Sequence, residues 1–162
     1  MAELDRVRIW GEALLRLHLD DSWSFGFDHA KRRAGQCDYT NKRITVSRYL
    51  AARFDDDEIH QVLLHEVAHA LAGHTAAHGP AWKRVARELG YVGGTTHRGE
   101  TAVELAPWIG RCPAGHETYR HRRPTRATSC AACSRTFDPR HLFEWERREI
   151  SADVRLAAQM PR

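Results

Sequence analysis

The stretch HEVAHALAGHTAAHGPAW, residues 65–82, decides the fold and carries the densest chemistry of the chain. His65 and His69 are four residues apart, so on a helix their imidazoles stand one above the other and can share a zinc ion. Glu66 lies at the border of this ligand face, where a carboxylate can take a proton from zinc-activated water. The spacing therefore predicts a catalytic zinc on a helix, with Glu66 as the general base of a metalloendopeptidase.

A catalytic zinc needs a third protein ligand and an open position. His74 follows His69 closely and would point away from the first two ligands if the helix continued. Glu88 lies on the flank of the next predicted helix, and His78 follows a turn after Gly73, where the chain can double back toward the metal. We predict that His78 is the third ligand, with Glu88 as the alternative.

Hydrophobic periodicity around this stretch predicts helices that pack on a small sheet. Apolar residues at helical spacing indicate helices over residues 4–19, 55–73 and 80–90. Between the first two, apolar and polar residues alternate in three runs, which predicts an antiparallel meander followed by a short helical turn capped by Ser47. The expected apolar positions of the helices include Val7, Trp10, Leu14, Leu17 and His60.

Three of the four cysteines lie in a second candidate metal site. Cys112-x3-His116 and Cys130-x2-Cys133 form two ligand pairs, as in closed tetrahedral zinc sites. We predict that these four residues bind a structural zinc ion, with His121 as the alternative to His116. The sequence thus predicts two zinc ions, one catalytic and one structural.

Arginines are concentrated around the second ligand set. Residues 111–135 contain six arginines and one acidic residue, Glu117, whereas the whole chain carries a net charge of +4. With Tyr119 and Phe137 close by, this region can offer phosphate contacts and stacking surfaces for single-stranded DNA. A solvated, arginine-rich hairpin that only covers the metal is the alternative. The candidate DNA contacts are Arg120, Arg122, Arg123 and Arg126.

Length and composition limit the class of protein. The chain has 162 residues, 42% hydrophobic and 28% charged, with 11 Gly and 6 Pro, which excludes collagen-like and disordered chains. No run of about 18 apolar residues occurs, so we expect a cytoplasmic protein with no membrane partner. We also expect a monomer, which would be associated with the nucleoid if it binds DNA. Cys37 stands alone in a strand pattern and is expected to be a buried thiol.

The run from residue 65 to 90 resembles the catalytic segment of the SprT-like zinc metalloprotease family. AGQCDYTNKRITVS, residues 34–47, resembles the strand pair before that motif, and the likeness extends over residues 5–90. It implies that three histidines hold zinc, that the glutamate is the general base, and that a zinc ribbon follows. It also implies proteolysis, in some members of proteins crosslinked to DNA. The matching residues are His65, Glu66, His69, His78, Gly79 and Trp82.

We therefore expect an α+β fold. Residues 1–108 would form a zincin-like metalloprotease core with helices packed on a small antiparallel sheet, residues 109–140 a zinc-ribbon subdomain, and residues 141–162 a tail with a short helix. The substrate would be a protein or peptide, bound by strand addition along residues 44–47. The loop over residues 93–99 would be either a linker or a mobile flap. His97 is expected to be an ordinary loop histidine, with a role at the cleft as the alternative. The alternatives are a nucleic-acid-binding or regulatory zinc protein with a vestigial protease centre, or a general peptidase indifferent to DNA.

Overall fold

The computed structural model describes residues 3–94 and 102–151, which fold as two compact units. The first range forms the first unit and the second range forms the second unit. The first contains α1 (Leu4–His18), β1 (Ser24–Asp28), β2 (Gly35–Asp38), β3 (Arg43–Ser47), α2 (Arg48–Ala51), α3 (Asp56–Ala72) and α4 (Pro80–Glu88). The second contains β4 (Trp108–Arg111), β5 (Glu117–Arg120) and β6 (Glu144–Arg147). The chain is therefore of mixed α and β structure, as predicted.

The sheet of the first unit is mixed, so the predicted antiparallel meander is wrong in one strand. Its order is β1-β3-β2, with β2 antiparallel and β1 parallel to β3. A period of two fixes which residues share a face, but it does not specify which strands are neighbours or their direction. Because β3 is central, the strand-addition site predicted over residues 44–47 is also wrong: both edges of β3 are already paired.

Helix α1 covers the sheet with a face rotated from the predicted one, although Val7 is buried and Leu14 packs against the core as predicted. Val7 and Leu15 are buried, and Gly11 lies so close to β1 that a Cβ there would be 2.6 Å from the ring of Phe25. Leu17, predicted in the apolar face, is 74% exposed because the buried stripe runs through positions 7, 11 and 15 instead. The close approach at Gly11 sets this rotation of the helix.

Helix α3 has capping groups at both ends, which explains why this segment is helical. Asp55 accepts from the Glu58 N–H at 2.8 Å while the Glu58 carboxylate accepts from the Asp55 N–H, a reciprocal capping box. The helix ends at Gly73, whose φ of 86° favours glycine. Its buried face contains Ile59, Val62, Leu63, Leu64 and Val67, and each such side chain contributes about 1.5–3 kcal/mol.

His60 is not in that buried face. Its side chain is exposed and makes an edge contact with Trp10, with ring centroids 6.3 Å apart. The predicted place of His60 within the buried apolar arc is therefore wrong, but the residue does pack, through its contact with Trp10 of α1.

The second unit is built on an antiparallel sheet of order β5-β4-β6. Strand β6 comes from residues 144–147, within the predicted tail, and it packs closely because Gly110 has no side chain: a Cβ there would be 2.9 Å from the ring of Trp145. The loop residues 95–101, with His97, and the predicted helix beyond residue 151 lie outside the described residues. Among the residues described, no helix has both the length and the apolar character needed to span a bilayer.

Candidate functional site

Three histidine side chains of the first unit meet at one point. The Nε2 atoms of His65 and His69, one turn apart on α3, are 3.2 Å apart. The Nε2 atom of His78, just before α4, is 3.0 Å from that of His69 and 3.1 Å from that of His65. Ala77 turns the chain into this position with a φ of 43°, unusual for a residue with a side chain.

The donor set fits a metal ion. Three nitrogens this close cannot satisfy one another by hydrogen bonding, because each Nε2 is either a single donor or a single acceptor. Two nitrogens that bind one tetrahedral zinc ion at about 2.0–2.1 Å lie about 3.3 Å apart, near the separations found here. Within the described chain, the group that can hold a metal here contains His65, His69 and His78 alone. Glu88 and His74 are exposed and outside it.

An aromatic floor lies against the three imidazoles. Trp82 is 2% exposed, and its ring centroid is 4.8, 5.3 and 4.7 Å from those of His65, His69 and His78. Tyr91 adds a ring 5.3 Å from that of His65. Burial in these surroundings, together with the charge of His78, lowers the pKa of His69 to about 4. The imidazole is therefore neutral at pH 7, which is the form that binds metal.

Glu66 projects from α3 and is buried against β2. It is 8% exposed, and the backbone N–H of Cys37 lies near its carboxylate. A Cβ on Gly35 would lie 2.7 Å from both Cγ and Oε1 of Glu66, so only glycine leaves room for this side chain. Burial raises the pKa of Glu66 to about 8, opposed by the charge of Arg33 and the Cys37 N–H. A carboxylate of this kind readily accepts a proton near neutral pH.

The ladder of β2 explains why its backbone meets Glu66. The carbonyl of Ala34 accepts from the Ser47 N–H at 2.7 Å, so alternate residues of β2 direct their backbone groups toward β3. The backbone groups of Gly35 and Cys37 therefore point to the other side, away from β3. Strand β2 is thus an edge strand whose open side runs beside Glu66.

Four side chains of the second unit form another group that can hold a metal. The Nδ1 atom of His116 lies 3.5, 3.6 and 3.3 Å from the Sγ atoms of Cys112, Cys130 and Cys133. The Sγ atoms of Cys112 and Cys133 are 3.9 Å apart, and all three cysteines are free thiols. Such ligands on one tetrahedral zinc ion lie about 3.5–3.8 Å apart. His121, the alternative ligand, is not in this group.

Tight turns bring these ligands together. The N–H of Gly115 donates to the carbonyl of Cys112 at 2.8 Å, and Gly115 has a φ of 83°. In the second pair, the N–H of Cys133 donates to the carbonyl of Cys130 at 3.2 Å. Each pair is therefore held by its own local turn, and the two pairs meet through the fold of the unit.

The candidate DNA-contacting arginines are exposed, and two of them lie over tryptophans. The guanidinium of Arg120 is 5.6 Å from the ring centroid of Trp145, and that of Arg123 is 5.9 Å from that of Trp108. The strand register places Trp108, Arg120 and Trp145 on one face of the sheet. Tyr119 lies on the opposite face, and Phe137 is 63% exposed. Arg122 and Arg126 are exposed as well.

Several residues at the first site escaped the sequence analysis. Gly35 and Cys37 were visible as strand residues, but the contact of their backbone with Glu66 depends on how α3 packs on β2. Tyr39 follows them in the same period of two, and its hydroxyl donates to the carbonyl of His69 at 3.0 Å. The Cys37 side chain is half-buried beside the core residues Ile44 and Val67, and burial raises the pKa of its thiol to about 12.

Comparison with known proteins gives one match. A family model described as the SprT-like family matches residues 5–104. This match covers more than half of the chain and includes all three histidines and Glu66. No curated protein and no solved structure matches the chain.

Proposed function

The chain belongs to the SprT-like family, and we propose that it is a zinc-dependent metalloendopeptidase with Glu66 as its general base. One observation carries the proposal: three Nε2 atoms within 3.2 Å of one another, beside a carboxylate that is 8% exposed and next to the first ligand in sequence. A site that only bound metal for structure would have no use for this buried carboxylate.

In this proposal the residues of the first unit divide the work. His65, His69 and His78 would hold the zinc ion. When bound, it would supply polarisation of the scissile carbonyl and would lower the pKa of water toward about 7. Glu66 accepts the proton of the attacking water and donates it to the leaving amine. The close packing of the bare α-carbon of Gly35 against Glu66 keeps that carboxylate in one place. The aromatic floor of Trp82 excludes water behind the ligands.

We propose that the substrate pairs with β2. An extended peptide adds to an exposed strand through main-chain hydrogen bonds, and β2 is the edge strand that runs beside Glu66. A peptide held there would pass the general base within reach of its carbonyl groups. This proposal replaces the one that placed the substrate along β3.

The experiment that tests the catalytic proposal compares Glu66→Gln with Glu88→Gln. Glu66→Gln is expected to keep both zinc ions and lose cleavage of an unfolded protein such as casein, because it removes the proton acceptor and nothing else. Glu88→Gln makes the same chemical change at an exposed position of α4 and should leave the cleavage rate and the zinc content unchanged. Full activity of Glu66→Gln, or loss of zinc in Glu88→Gln, would count against the assignment.

For the second unit, we propose a structural zinc bound by Cys112, His116, Cys130 and Cys133. The four ligands leave no open position, in contrast to the three-histidine site, and a closed set is typical of structural zinc. Two ions per chain are therefore expected, with different roles.

We further propose that the substrates are proteins bound or crosslinked to DNA. The support is the basic region around the second ligand set and the sheet face that carries Trp108 and Trp145 with arginines above them. Bases can stack on such rings while arginines contact phosphates. The candidate contacts remain Arg120, Arg122, Arg123 and Arg126, and the cytoplasmic location remains a prediction.

The test of this part measures cleavage of a DNA-binding protein with and without single-stranded DNA. Stimulation by DNA that is lost in the double variant Arg122→Ala, Arg123→Ala is the expected result. Arg140→Ala is the matched control, because that guanidinium is paired with Asp138 at 2.8 Å. Cleavage that ignores DNA would indicate a general peptidase. Binding of DNA by a protein with no cleavage in any condition would indicate a regulatory zinc protein.

A further inference from the structure

Tyr39 connects β2 to the end of the helix that carries two of the three histidines. It follows β2 directly, and its hydroxyl donates to the backbone carbonyl of His69 at 3.0 Å. The same carbonyl accepts the N–H of Gly73 at 3.0 Å, the last main-chain bond of α3. Two donors therefore hold one carbonyl, and that carbonyl belongs to a residue whose imidazole lies in the metal group.

This contact is placed where the helix is weakest. The last carbonyls of a helix lack partners within it, and terminal turns fray. His69 lies four residues before Gly73, in the turn that would open first. A fraying turn would carry the His69 imidazole away from His65 and His78, because the three nitrogens meet only while this turn is closed.

Tyr39 is itself held from two sides. Its ring makes edge contacts with Trp23, with centroids 6.5 Å apart, and with His74, with centroids 5.3 Å apart. His74 belongs to a short 3₁₀ helix, His74–Ala76, that leads to His78. One side chain thus contacts the end of α3 and the segment that delivers the third histidine.

We propose that Tyr39 is a positioning residue of the three-histidine site, holding His69 and the approach to His78 in the geometry that binds metal. The inference rests on the proposed metal centre, and it adds a residue outside α3 to the machinery of that centre. Tyr39 touches neither metal nor substrate in this role. It acts through the backbone of one ligand and the segment that leads to another.

The test replaces Tyr39 with Phe in the full chain, which keeps the ring contacts and deletes only the hydroxyl. Zinc affinity is measured by competition with a chelator, and cobalt(II) is used as a spectroscopic probe. Cobalt at the cysteine-containing site shows thiolate charge-transfer absorption, whereas cobalt at the three-histidine site does not, so the two sites are read separately. Tyr49→Phe, at a buried tyrosine of α2, is the matched control.

For Tyr39→Phe we expect zinc at the three-histidine site to bind about tenfold more weakly, with a changed visible spectrum of its cobalt form, since supporting contacts of metal ligands have effects of this size. The rate constant of cleavage should fall more than KM rises. Tyr49→Phe should change neither. Unchanged zinc affinity and an unchanged cobalt spectrum in Tyr39→Phe would overturn the proposal, even if the variant melted at a lower temperature.

These readouts separate the inference from the proposed function. If the wild-type protein cleaved nothing, the peptidase assignment would fail, and the zinc affinity and cobalt spectrum would still decide the role of Tyr39. If cleavage were found and Tyr39→Phe behaved as the wild type in every readout, the peptidase would stand and the positioning role would not.

Discussion

Substitution of Gly35 by Ala tests the packing that holds the general base. The new Cβ would lie 2.7 Å from Cγ and Oε1 of Glu66 and 3.0 Å from its Cδ, where ordinary contacts begin at 3.4 Å. The glutamate is 8% exposed and has little free space. Its side chain must therefore retreat by about 0.7 Å, and displacements near 1 Å at a reacting group can reduce rates about 100-fold.

We expect Gly35→Ala to lower kcat/KM about 100-fold, which corresponds to about 2.7 kcal/mol of lost transition-state stabilisation. Both zinc ions should stay bound, because Glu66 is not a ligand. The assay is the initial rate of casein cleavage at several substrate concentrations, with zinc content and thermal unfolding measured on the same preparations.

Gly26→Ala is the matched control. It makes the same change in β1 of the same sheet, where the added Cβ meets the far end of the Arg43 side chain, which can move aside. Its activity should stay within a factor of two or so of the wild type. The reasoning is refuted if Gly35→Ala keeps full activity, or if its loss of activity only follows a loss of zinc or of folded protein.

Three further predictions concern the pH dependence of Glu66, the strained turn and the second zinc site. In metal-free protein, burial raises the pKa of Glu66 from 4.5 to about 8, so the free energy of unfolding falls as the pH rises from about 4.5 to about 8 and then levels off. Chelator-treated Glu66→Gln should match the wild type in thermal unfolding at pH 4 and exceed it by on the order of a few kcal/mol at pH 9. A difference that stays constant with pH would contradict the burial argument. Ala77→Gly should stabilise the zinc-loaded protein by about 1 kcal/mol in urea unfolding, because glycine adopts a φ of 43° without strain. A loss of stability would show that the turn is not strained. Cys133→Ser should reduce the zinc content from two ions to one per chain by metal analysis while casein cleavage persists, and loss of both ions would contradict separate sites.

The helices of the first unit could be predicted from the sequence because their signals are local. The capping box of Asp55 and Glu58, the stop at Gly73 and the start at Pro80 each involve residues within one turn of the helix end. The grouping of His65 and His69 follows from the same helical spacing. These features do not depend on what the helix packs against.

The strand order and the surroundings of Glu66 could not be predicted in this way. Alternation of apolar residues marks three strands equally well in the order β1-β2-β3 or β1-β3-β2, and only the second makes β2 an edge strand. The rotation of α1, which exposes Leu17, is set by the contact of Gly11 with Phe25 across two elements. Gly35 and Tyr39 owe their importance to distant parts of the chain, and a single sequence carries no signal of such pairs.

The order of the first sheet has a consequence for how it assembles. Strands β2 and β3 are joined by residues 39–42 and can close as a hairpin, whereas Ser24 of β1 must find Arg43, nineteen residues away, after β3 is in place. Short-range pairs form before long-range ones because less chain entropy is lost. Native-state hydrogen exchange should accordingly release the amides of β1 in a partial opening that leaves the hairpin protected. Strand β2, which packs against Glu66 and leads into Tyr39, is thus among the first parts of the sheet to form. Strand β1 joins last, at the opposite edge of the sheet from β2.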